Sequence, residues 1–82
     1  MAKSKTIPPD PDEMNEDRSR WAEAAILEFK HQTGTDLEDA VSDLLADLLH
    51  WCDRHKNAFE VELHHARSHY NAETEPFYFE ED

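Results

Sequence analysis

The sequence predicts an all-α fold, a small three-helix bundle with a disordered N-terminal leader and an acidic aromatic C-terminal tail. Three observations carry this. Apolar residues recur at steps of three and four in three separate segments. No stretch alternates apolar and polar residues for long enough to argue for a sheet. The single glycine and two clusters of capping residues stand where the periodic segments meet. The expected organisation is a leader over 1–9, a three-helix domain over 10–72 with helices at about 11–33, 36–55 and 58–71, and a tail over 73–82.

Met1 to Pro9 is polar and proline-containing, without periodicity, which suits a flexible leader. Asp10-Pro11-Asp12-Glu13 then reads as a helix start. Asp10 can cap, Pro11 suits the first helical position, and Glu13 sits where a capping-box acid reaches back. Trp21, Ala22, Ala25, Ile26 and Phe29 form the apolar stripe of this first helix. Gly34 follows Thr33, where a left-handed residue would close it.

Thr35-Asp36-Leu37-Glu38 restarts a helix as a Thr-x-x-Glu capping box. The apolar face of this second helix is Leu37, Val41, Leu44, Leu45, Leu48 and Cys52, with Trp51 on its flank. Its charges agree with the helix dipole, acids at the start and Arg54 and Lys56 at the end. Asn57 and Glu60 suggest a third start, followed by Phe59, Leu63, Ala66 and Tyr70 at helical spacing. Such short connections imply antiparallel neighbours. The chain then ends in Glu73 to Asp82, acidic around Phe77, Tyr78 and Phe79.

Length and charge bound the function. An 82-residue chain with 38% hydrophobic residues has a marginal core. Homodimerisation, through the flank of Trp21 or Trp51, is expected on size grounds. Cys52 is the only cysteine, so no disulfide closes within the chain, and a lone cysteine on an apolar face fits a reducing compartment. Lys3 and Lys5 are followed by Pro8 and Pro9 instead of an apolar stretch, and no apolar run approaches the roughly 20 residues of a membrane span. These features point to the cytoplasm. Twenty Asp and Glu against eight Lys and Arg, a net charge of -12, argue against direct binding of nucleic acid or an anionic membrane.

Asp36, Asp39, Asp43 and Asp47 recur at helical spacing along the second helix. Stacking like charges costs an isolated helix roughly 0.2–0.5 kcal/mol per i,i+4 pair. A rod that keeps this cost can present a dense row of carboxylates to a cationic surface, in imitation of the phosphates of nucleic acid. The alternative is an ordinary solvated face. Phe77, Tyr78 and Phe79 between acids suit an anchor for a basic-rimmed pocket, or else a cover for the helical core. His65 and His69 lie four apart on one helical face, a spacing that can chelate a transition metal, with Glu62 one turn earlier. Two or three such residues fall short of a closed ligand set, and the simpler reading is a histidine pair near a helix end. No cofactor is implied, since Gly34 stands alone and no glycine-rich phosphate loop exists.

Asp43-Leu44-Leu45, followed by a turn and a helix ending Ala66-Arg67-Ser68-His69-Tyr70, is similar to all-α nucleotide pyrophosphohydrolases of the MazG type. The resemblance implies metal-dependent hydrolysis of a nucleotide, with ligands from Glu-Glu-x-x-Glu on one helix and Glu-x-x-Asp on the next. The chain departs from that pattern where Ala40 precedes Asp43 by three, and where Glu23 and Glu28 stand unclustered. The expectation that absorbs most of these features is a small acidic, non-enzymatic binding protein. It would engage a basic protein surface, such as that of a nucleic-acid-binding protein, as a mimic-type inhibitor or an anti-defence factor of a phage or mobile element does. A structural adaptor using the helical faces and the tail is the third reading.

Overall fold

The computed structural model describes residues 7–75, and among them three helices follow one another: α1 (Asn15–Thr33), α2 (Leu37–Arg54) and α3 (Phe59–Thr74). These residues are all-α, as the periodicity predicts. Most of the expected leader and the aromatic cluster Phe77 to Phe79 lie outside the described residues.

The first helix starts at Asn15, beyond the expected Pro11. Asp10 to Glu13 form a turn instead, closed by the Glu13 N–H donating to the Asp10 carbonyl at 3.0 Å. Glu13 takes a left-handed φ of 59°, which a right-handed helix does not accommodate. Asp10 still caps, but from further away: its Oδ1 accepts from the Asn15 N–H, and Asp12 Oδ1 accepts from the Met14 N–H, each at 3.2 Å. These two carboxylates replace the expected capping box through Glu13. At the other end Gly34 closes α1 as its position predicts, with φ 76° and its N–H on the Lys30 carbonyl at 2.8 Å.

The second start also differs from the expected box. Asp36, in extended backbone, is the N-cap of α2 and makes no side-chain cap bond. The Thr35 hydroxyl donates instead to Asp43 Oδ2 at 2.7 Å, a charge-assisted bond stronger than the neutral cap it displaces. At the end of α2 the His55 N–H is shared between the carbonyls of Trp51 and Cys52. The His55 ring stacks on Trp51, centroids 4.0 Å apart, and Lys56 turns the chain with a left-handed φ of 59°. The third helix begins at Phe59 with Ala58 as N-cap, so the expected Asn57 cap is not formed. It continues past Asn71 to Thr74, whose hydroxyl donates to the Tyr70 carbonyl. Glu73 and Thr74 therefore belong to the helix and not to the tail.

The rods meet at their ends. Asn15 Nδ2, at the start of α1, donates to the Glu73 carbonyl at the end of α3 at 2.8 Å, and Arg18 Nε lies 3.4 Å from Glu73 Oε2. In an up-down-up arrangement of antiparallel neighbours these two ends stand at opposite poles, roughly 25 Å apart for helices of this length. The contact therefore corrects the antiparallel expectation: the helices run as the sides of an open triangle. Burial agrees with this. Ala40, in the first turn of α2, and Cys52, in its last, are the only buried apolar residues among those described. Both lie near corners. The radius of gyration is 16.0 Å, against about 12 Å for a compact chain of this length.

Candidate functional site

Helix α2 makes the more extensive contacts with both other helices, and it carries two unlike strips. Asp39, Asp43 and Asp47 follow one another at four-residue steps, about 6 Å apart along the axis, and are all exposed. Asp36 is exposed as well, but it stands in the extended backbone ahead of the helix. Among the described residues all four ion pairs are made by Arg18 and Arg20 of α1, to Asp12, Glu73, Glu16 and Asp17. None reaches the acidic strip of α2. Asp43 alone of the four has a carboxylate that accepts a hydrogen bond among these residues, from the Thr35 hydroxyl. At the far end Arg54 Nη1 donates to the His50 carbonyl at 3.3 Å, a cation on the negative end of the helix dipole.

The second strip was expected to be core, and apart from the buried Cys52 and the half-buried Leu44 it is open. Leu37 keeps 58% of its surface exposed, Val41 53%, Leu45 45%, Leu48 40% and Leu49 43%. Only Leu44, between the two corners, is half-buried. Trp21 on α1 and Trp51 on α2 are likewise largely exposed, the latter with only the His55 ring stacked on it, so the apolar faces the periodicity names are covered only in part within the described chain. Contact between the rods is confined to a few residues, which leaves most of each apolar face without a neighbour.

The corner between α1 and α3 is polar and was not legible in the sequence. Arg18 binds Asp12 in bidentate fashion, at 3.1 and 2.9 Å, donates to Asn15 Oδ1 and reaches Glu73. The guanidinium holds the Asp12 carboxyl below the usual carboxylate range, and Asp12 in turn raises Arg18. A shallow pocket of about 270 Å³ opens beside this knot, between Ile7, Ser19 and Tyr70. Partners in the knot stand up to 58 residues apart, so no local spacing announces it.

The histidine expectation finds little geometry to support it. Glu62, His65 and His69 are exposed on α3, and no group of three His, Cys, Asp or Glu side chains converges to hold a metal among the described residues. The His64 and His65 rings sit 6.1 Å apart and tilted. Ala40, where the pyrophosphohydrolase pattern places a carboxylate, has 0% exposure and sits in contact on all sides. No described helix is long and apolar enough to cross a membrane. No family model matches the chain, and neither a curated protein nor a solved structure matches it.

Proposed function

We propose that this chain is a non-enzymatic binding protein whose acidic strip, Asp36, Asp39, Asp43 and Asp47, docks on a cationic protein surface such as the groove of a nucleic-acid-binding protein. The observation that carries the reading is the one-sided use of charge. The arginines of α1 neutralise acids of α1 and its neighbouring corner, whereas the row on α2 has no basic partner among the described residues. With a net charge of -12, such a row attracts a basic partner at long range and holds it on a fixed pitch set by the helix.

The test is capture of partners from a lysate at low and high salt, with the captured proteins identified. Binding through the row weakens steeply as salt shortens the Debye length from about 30 Å at 0.01 M to about 3 Å at 1 M. The combined change Asp39→Lys, Asp43→Lys and Asp47→Lys abolishes capture while the helical circular dichroism persists. Capture that survives this change would show that the row is only solvated surface.

A further inference from the structure

We propose that α3 is a latched arm, held by a polar clasp at the start of α1 and free to open about the turn at Lys56 to Ala58 while α1 and α2 stay joined. The pattern of burial carries this. Every residue from Glu60 to Ala72 is exposed, and only Phe59 at one end of α3 and Glu73 and Thr74 at the other are half-buried. A helix docked through its apolar face covers that face along its length. Val61 and Leu63 remain 49% and 37% exposed, so α3 is held by its two ends. The connection between α1 and α2 is built differently, with Ala40 fully buried and the Thr35 hydroxyl on Asp43.

The far end of α3 is the latch, and Glu73 supplies both parts of it. Its carbonyl accepts from Asn15 Nδ2 at 2.8 Å, and its Oε2 lies 3.4 Å from Arg18 Nε. The grip is one-sided. Arg18 gives Nη1 and Nη2 to Asp12, at 3.1 and 2.9 Å, and Nη1 to Asn15 Oδ1 as well. The guanidinium therefore keeps these partners when Glu73 leaves, and the partly exposed Glu73 carboxylate returns to water. Opening strands no buried charge, the event that makes an ion pair costly to separate. The near end is the pivot. The His55 and Asn57 N–H groups close α2 on the Trp51 and Cys52 carbonyls, and those of Val61 and Glu62 open α3 on the Ala58 carbonyl. No backbone hydrogen bond crosses from one helix to the other among the described residues. Once released, a helix of 16 residues with two alanines is marginal in water, so the arm frays as it opens.

Native-state hydrogen exchange of the full chain tests this. Amides 63–74 of α3 exchange faster than amides 41–54 of α2, because the arm opens without the rest of the fold. Glu73→Gln removes the charge that faces Arg18, and Asn15→Ala removes the donor to the Glu73 carbonyl. Each speeds exchange over 63–74 about two- to tenfold and leaves 41–54 unchanged. The sign for Glu73→Gln separates the latch from the helix itself. In a helix that only frays from its end, taking a negative charge off the negative end of the dipole slows exchange. Slower exchange over 63–74 in Glu73→Gln therefore overturns the proposal. So does equal exchange in α2 and α3 of the unaltered chain, since the helices would then open as one unit. Two variants that speed both stretches alike, or neither, overturn it as well.

Discussion

Asp43 and Asp47 stand one turn apart on the same side of α2 and act in opposite directions on the fold. Asp43 accepts the Thr35 hydroxyl and so fastens the connection between α1 and α2 to the body of α2. Asp47 has Asp43 as its neighbour one turn back, and no ion pair among the described residues relieves the repulsion. Thr35→Val removes the hydroxyl and keeps the shape, which lowers stability by about 0.5–1.5 kcal/mol. Asp47→Asn removes the repulsion and raises stability by about 0.2–0.5 kcal/mol. Urea midpoints of the two variants at one protein concentration check the pair of signs. If Thr35→Val leaves the midpoint unchanged, the Thr35–Asp43 bond contributes nothing net and all four aspartates are equivalent.

At the scale of elements, the two turns that bound α2 solve the same problem with different residues. Both need a left-handed residue after a helix, and the chain uses Gly34 at φ 76° before α2 but Lys56 at φ 59° after it. A left-handed L-residue costs roughly 1–2 kcal/mol, whereas glycine adopts the conformation freely but loses more chain entropy on folding. Nothing lies within 4 Å of a Cβ at Gly34, so Gly34→Ala is penalised by the dihedral alone and destabilises by about 0.5–1 kcal/mol. Lys56→Gly works in reverse and stabilises by about the same amount, read as a rise in thermal midpoint. The first turn was legible because glycine after a periodic segment has one common use. The second was not, since a lysine gives no such sign. Asp10 to Glu13 meets every local preference for a helix start, and the true start at Asn15 goes with contacts of Arg18, to Asp12 six residues back and to Glu73 at the far end of the fold, the second of which no local window contains. The candidate site divides in the same way. The aspartate row and the apolar strip could be read from spacing, because spacing names a face. Whether Leu45 or Val41 is covered depends on where the next rod lies, and that is fixed at the distant corner by Asn15 and Glu73.

At the scale of the whole molecule, a triangle closed by three corners stores little apolar burial, since no large side chain among the described residues is fully enclosed. A second copy covering α2, the self-association expected from the size of the chain, would make folding and association one equilibrium. In this linked case the unfolding midpoint depends on protein concentration, and each tenfold increase adds about 1.4 kcal/mol to the unfolding free energy of the pair. The midpoint also rises with added salt, because screening the repulsion between two chains of net charge -12 favours the pair. Leu45→Glu, at a half-exposed residue, moves that dependence to higher protein concentration. Chemical denaturation at several protein concentrations, with and without salt, measures all of this. A midpoint that stays flat where sedimentation finds dimers would mean that the three corners alone hold the triangle and that pairing is added to a fold already complete.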